Sequence, residues 1–161
     1  MKNKKAIFAA GCFWGVEHYF KKLKGVTETK VGYTGGETKN PGYEQVCAKN
    51  TGHFEAIEVT YDPSKITYEK LVKYFFEIHD FSQENGQGPD IGPQYKSAIF
   101  FANKEEKQIS EKIISLLKEK GYEVATKRLP TKTFYPAEEY HQNYYFKKGA
   151  EPYCHFWKKI F

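Results

Sequence analysis

The chain has 161 residues, a length that suits one domain over 1–161, able to bury about 70% of its unfolded surface. Its net charge of +5 would admit nucleic acid, but all of its 25 basic residues except Arg128 are Lys. Groove reading leans on bidentate Arg forks, so no nucleic-acid partner is expected.

Taken in chain order, Lys5 to Ala10 reads as a short buried strand punctuated by Gly11. Phe13, Val16, Phe20 and Leu23 follow at helical spacing until Gly25 supplies a stop. Val26 to Tyr33 alternates weakly as a second strand, and Thr34 to Thr51 is a long Gly/Pro/Asn/Lys-rich loop. Loops of that length are uncommon in compact domains unless they carry function. His53 to Tyr61 alternates clearly and closes on Asp62-Pro63. Thr67 caps a helix with Leu71, Val72, Phe75 and Ile78 on one face, ending near His79. Asp80 to Lys96 is a second long loop, and Ser97 to Phe101 a strand. Asn103 and Glu106 form a capping-box pattern for a helix bearing Ile109, Ile113, Leu116 and Leu117, stopped by Gly121. Tyr122 to Lys127 is expected as a strand and Glu138 to Phe146 as a short helix. Interleaved strands and helices argue an α/β or α+β sheet layered with helices.

Lys2, Lys4 and Lys5 imitate a leader, but the apolar run Ala6 to Gly11 is shorter than the roughly 7–15 residues of a secretory h-region. No run approaches the ~20 apolar residues of a membrane span. A cytoplasmic protein without a membrane partner is expected. Three cysteines make no disulfide framework, none pairs at C-x-x-C spacing, and His18, His53, His79, His141 and His155 are scattered. No metal site or bound cofactor is expected, and the thiols carry the chemical interest.

Cys12 stands where a strand and a glycine meet a helix. Helix N-terminal amides favour a thiolate, and thiols so placed fall from a pKa near ~8.5 into a range of ~3.5–7.5. Gly11 and Gly15 leave room for approach to the sulfur, and Phe13 and Trp14 face different ways on a helix. On Gly11 to Gly15 alone two readings stay open: an activated thiol, or a small core residue between core aromatics. Tyr43 in the first loop, Glu55 at the start of an apolar strand, and Asp90 and Tyr95 in the second loop are candidate company. A carboxyl walled in by rings stays protonated, because desolvation disfavours its charge, and phenols can share its proton.

"GCFWG" (Gly11 to Gly15), "GYTGG" (Gly32 to Gly36), "TGHFEA" (Thr51 to Ala56), "YDP" (Tyr61 to Pro63), "DIGPQYKS" (Asp90 to Ser97) and "AEEYHQNY" (Ala137 to Tyr144) are similar, in order and spacing, to peptide methionine sulfoxide reductase A. The resemblance runs from about Lys5 to Tyr153. It implies a two-layer ferredoxin-like sandwich, a mixed sheet with helices packed on it and long active-site loops. It also implies an oxidoreductase that reduces methionine-S-sulfoxide, free or in oxidised proteins. Carried over, Cys12 attacks the sulfoxide sulfur, Phe13 and Trp14 hold the ε-methyl group, and neutral Glu55 protonates the oxygen. Tyr43 and Tyr95 hydrogen-bond that oxygen, and Asp90 helps hold the site and the substrate backbone. Cys12 becomes a sulfenic acid, resolved by Cys154 and recycled by thioredoxin, or dithiothreitol in vitro; Cys47 is a buried bystander and the enzyme a monomer.

Three features depart from the family pattern. Cys154 to Phe161 lacks the glycines of a mobile tail, and His155, Phe156, Trp157 and Ile160 look like packing residues. Phe81 replaces a usual Pro, and Pro89 directly precedes Asp90. Rival readings are a thiol peroxidase, which needs no methyl-sized pocket, and a single-strand nucleic-acid platform built on Lys and Tyr.

Overall fold

The computed structural model describes residues 2–48, 51–150, 152 and 155–161. In chain order the elements are β1 (Lys4–Ala10), α1 (Phe13–Phe20), β2 (Val26–Thr34), α2 (Tyr43–Cys47), β3 (Phe54–Tyr61), α3 (Tyr68–Glu77), β4 (Gly86–Gln87), β5 (Asp90–Ile91), β6 (Ser97–Phe101), α4 (Lys104–Glu119), β7 (Lys127–Pro130), β8 (Tyr135–Pro136) and α5 (Tyr144–Lys148).

Among the described residues, six strands form one sheet in the order β7-β6-β1-β3-β2-β8. Only the β6–β7 pairing is parallel, so the sheet is mixed. Its central part, β1-α1-β2-β3-α3-β6 with strand order β6-β1-β3-β2, is the split βαβ arrangement of a ferredoxin-like sandwich. The period-2 alternation of side chains assigns the two faces. Ala6, Phe8, Ala10, Ile57, Val59, Tyr61 and Ile99 meet Phe13, Val16 and Phe20 of α1 and the apolar stripes of α3 and α4. The opposite face carries a small cluster of Ala9, Phe54, Ala56, Ala98 and Phe100. Phe54 and Ile57 therefore lie on opposite faces, and Glu55 shares the helix-side face with Ile57.

Both read helix caps are present: Thr67 accepts from the Lys70 amide and Asn103 from the Glu106 amide, at 3.1 and 2.9 Å. The expected strand over Tyr122 to Lys127 lies later, at Lys127–Pro130, because the β6 register begins at Ala98 opposite Lys127. Ahead of it the chain is tied instead by the Ala125 amide to the Phe81 carbonyl, 2.7 Å. Phe81 is a buried ring packed on Phe76, His79 and Tyr122. The expected Glu138 to Phe146 helix is broken into a 3₁₀ turn at Glu139–His141 and α5, since Asn143 adopts φ 56° between them. The first long loop contains α2, which the Gly/Pro/Asn-rich composition concealed.

Glu17, buried on α1, holds that break in place. It accepts from Thr29 Oγ1 at 2.8 Å and from the Asn143 amide at 2.5 Å. Burial raises its pKa, and the two bonds oppose the rise. Glu17→Ala leaves two donors unmet, and its expected cost is about 2 kcal/mol. The measurement is a urea titration, with a lower midpoint at unchanged m-value.

Candidate active site

The site begins at the turn that follows β1. Gly11 adopts φ +91°, and a Cβ there would stand 2.5 Å from Gln87 Cβ. Gly15 takes the ring of His155 where its own Cβ would be. The two glycines of "GCFWG" thus admit side chains from distant segments, rather than the approach to sulfur that their spacing suggested. Cys12 is the N-cap of α1, one residue ahead of the first helical turn, and is buried. Its carbonyl accepts the Gly15 and Val16 amides at 3.2 and 3.4 Å.

The next amide, that of Phe13, donates to Glu55 Oε1 at 3.2 Å. Glu55 is 1% exposed, and Oε2 has no hydrogen-bond partner among the described residues. Its pKa is raised well above the ordinary 4.5, first by burial, then by the charge of Cys12 and that of Asp90, against the Phe13 bond. An unpartnered, protonated Oε2 is a donor without an acceptor.

Tyr43 and Tyr95 stand around this carboxyl. Burial raises the pKa of both, aided for Tyr43 by a side-chain hydrogen bond with Cys47 and for both by the Glu55 charge. Both stay protonated and keep an O–H to donate. Tyr95 also feels the charges of Cys47, Cys12 and Asp90, so these groups share one neighbourhood. Asp90 lies on the β4–β5 hairpin, opposite Gln87, with Pro89 in the connecting turn. Cys47, expected as a buried bystander, is half-buried and turned toward Tyr43 one helical turn away. Cys154, the expected resolving thiol, lies outside the described residues.

Phe13 and Trp14 do face different ways. Phe13 is buried against the rings of Tyr33 and His141, while Trp14 stacks on Tyr144 with centroids 3.7 Å apart. The Trp14 indole N–H donates to His141 Nδ1 at 3.0 Å. That bond fixes the imidazole tautomer with hydrogen on Nε2, a buried atom with no partner among the described residues. Burial holds the His141 pKa below its ordinary value, so the ring is neutral. Its face also meets Tyr43 at 4.6 Å and Tyr140 at 4.1 Å. Glu138 ties this wall to β2 and to the first loop, accepting from Tyr33 Oη and the Tyr43 amide, each at 3.3 Å.

Residue-by-residue reading missed His141, Tyr144, Glu138, Gln87 and His155 as parts of the site. The first three sit in the recognised "AEEYHQNY" stretch, the one signal that could have found them. Among the described residues no group of three His, Cys, Asp or Glu is placed to hold a metal ion.

A buried acid beside a thiol, ringed by phenols and faced by an aromatic slot, defines a thiol-based site for a small polar group carrying an apolar one. The family pattern described as peptide methionine sulfoxide reductase matches residues 4–160. A peptide methionine sulfoxide reductase MsrA of Nautilia profundicola is 47% identical over 150 residues, covering 93% of this chain and 87% of that protein. Reduced Mxr1 from Saccharomyces cerevisiae superposes with a TM-score of 0.90 at 37% identity, over 98% of this chain and 93% of that one. Mxr1 in complex with Trx2 matches at 0.65 and 28% identity, over 98% and 91%. The chain belongs to the peptide methionine sulfoxide reductase family.

The raised native pKa of Glu55 has a consequence for stability. Below the ordinary carboxylate range both native and unfolded chains hold the proton; above it the unfolded chain releases it readily and the native one only at a cost. Wild type therefore loses stability relative to Glu55→Gln as pH rises toward the raised native value. In thermal melts the midpoint of Glu55→Gln should rise relative to that of wild type as pH increases above the ordinary carboxylate value.

Proposed function

We propose that the protein reduces methionine-S-sulfoxide, free or within oxidised proteins, to methionine with Cys12 as nucleophile. The observation that carries this reading is the buried Glu55 carboxyl, held by the Phe13 amide beside Cys12 with Oε2 lacking an acceptor. A sulfoxide oxygen would be that acceptor. In this reading the Cys12 sulfur attacks the sulfoxide sulfur while Glu55 passes its proton to the oxygen. Tyr43 and Tyr95 donate hydrogen bonds to the same oxygen as it gains charge. The ε-methyl group rests on Phe13 and Trp14, whose rings exclude water from it, and Asp90 helps hold the site and the substrate backbone.

Protonation makes the oxygen transferable: methionine leaves and Cys12 becomes a sulfenic acid. The Cys154 thiol then attacks the sulfenyl sulfur, an S–S bond forms, the S–O bond breaks, and water departs. Thioredoxin, or dithiothreitol in vitro, reduces the disulfide by thiol–disulfide exchange. The structure of related Mxr1 with Trx2 supports thioredoxin as the reductant. A monomeric enzyme in a reducing cytoplasm belongs to the same reading; among the described residues no helix is long and apolar enough to cross a membrane.

Cys12→Ser should abolish dithiothreitol-driven reduction of a methionine-S-sulfoxide substrate, and undiminished turnover would overturn the assignment. Glu55→Gln should lose 10²-fold or more of the activity at neutral pH, on the order of a general-acid contribution, with Cys12 still open to alkylation. Mass spectrometry after one substrate equivalent without reductant should find a Cys12–Cys154 disulfide. A Cys12–Cys47 disulfide would transfer the resolving role to the thiol beside Tyr43.

A further inference from the structure

His155 has no role in the cycle just described, yet it is among the most deeply set side chains of the C-terminal segment, 4% exposed. Its ring fills the space left by the absent Cβ of Gly15, and its Nε2 would lie 3.6 Å from a Cβ at Gly11. Nε2 donates to the Ala10 carbonyl at 2.5 Å, which places the hydrogen on that nitrogen. Burial lowers its pKa to about 4, so the seated ring is neutral. An aliphatic side chain could fill such a cavity without desolvating an imidazole. The polar bond adds what packing lacks, a fixed direction and register against the residues on either side of Cys12.

Downstream, the segment has its own attachments. The Phe156 and Lys158 amides donate to the carbonyls of Ile78 and Glu77, at 3.4 and 2.8 Å. The Ile160 and Phe161 amides share Glu77 Oε2, at 2.8 and 3.2 Å. Residues 156–161 are thus strapped to the end of α3 independently of the His155 ring, with Phe156 and Trp157 left exposed. Upstream, the next residue in the chain is Cys154.

We propose that His155 is a positioning residue for disulfide formation: seated against Gly11 and Gly15, it anchors the position next in sequence to Cys154 at the turn that bears Cys12. The proposal rests on Cys154 being the resolving thiol. A disulfide needs the two Cα atoms within about 7 Å, a rare encounter for residues so far apart in a chain unless one is already docked beside the other. The chemistry is unchanged, with Cys154 sulfur displacing hydroxide from the Cys12 sulfenyl sulfur and water leaving. The seat raises the frequency of that attack. A seat one residue from Cys154 in sequence would let a glycine-free tail serve.

The test is a single turnover of reduced enzyme with one equivalent of methionine-S-sulfoxide and no reductant. Methionine formation reads the first step, and loss of the second titratable thiol reads the disulfide. In His155→Ala the methionine burst should match wild type in rate and amplitude. Disulfide formation should be at least about tenfold slower, with a dimedone-trappable sulfenic acid persisting. His155→Gln, which keeps an N–H for the Ala10 carbonyl, should recover part of the rate. An unchanged or faster disulfide step in His155→Ala overturns the proposal, as does a parallel fall in the methionine burst. Cys154→Ser separates the two ideas: a second thiol still lost in that variant refutes the resolving role of Cys154, whatever His155 does.

Discussion

The hydrogen bond from the Phe13 amide to Glu55 Oε1 joins the first turn of α1 to the middle of the sheet, across the two layers of the fold. Taking a carboxyl out of water costs several kcal/mol if it is charged and far less if it keeps its proton. One amide steadies one oxygen, and burial keeps the proton on the carboxyl. The phenols of Tyr43 and Tyr95 are held protonated by the same lack of water, and partly by the charge Glu55 would carry. Hydrogen-bond donors are thereby gathered beside Cys12, an arrangement complementary to a polarised oxygen.

That bond ties α1 to β3 but leaves the turn at Gly11 to be held by other segments. Gln87, itself locked by a reciprocal pair of 2.9 Å bonds with the backbone of Asp80, packs against it, and so does His155. In front, Glu17 and Glu138 draw the 3₁₀ turn and its His141 over α1. Carboxylates, buried at Glu17 and exposed at Glu138, are used here as clamps on backbone amides, so the loops around the cysteine are held by hydrogen bonds of defined direction as well as by packing.

The parts legible in the sequence are those governed by local periodicity. The alternation of β3 and the caps Thr67 and Asn103 read directly into structure, because each depends on residues within a few positions. Glu55 on its own reads as readily as a solvated strand residue, and only the family pattern marks it as a buried acid; its burial follows from the face it shares with Ile57 and Val59. The late elements were not. β8 is two residues long and exists because Gly32 and Tyr33 offer it a sheet edge, while β7 is displaced to match the register of β6. His141 carries no periodic signal, and its place depends on Trp14, 127 positions away. The glycines of "GCFWG" were legible as special, but what occupies the space they leave is a property of segments 87 and 155 alone.

The remoteness of those segments bears on how the chain is made. Cys12 emerges early in synthesis, whereas the rings and carboxylates that wall it in, Glu138, His141, Tyr144 and His155, emerge last. At ordinary elongation rates the interval is on the order of ten seconds. For that time the cysteine has its α1 neighbours but neither its aromatic wall nor the plug behind its turn. Peroxide that reaches the thiol then meets a sulfur open to oxidation beyond the sulfenic level, from which no disulfide returns it. A protein built to repair oxidative damage is thus most vulnerable to that damage before it is finished, and the abundance of reducing thiols around the ribosome becomes part of what its fold requires.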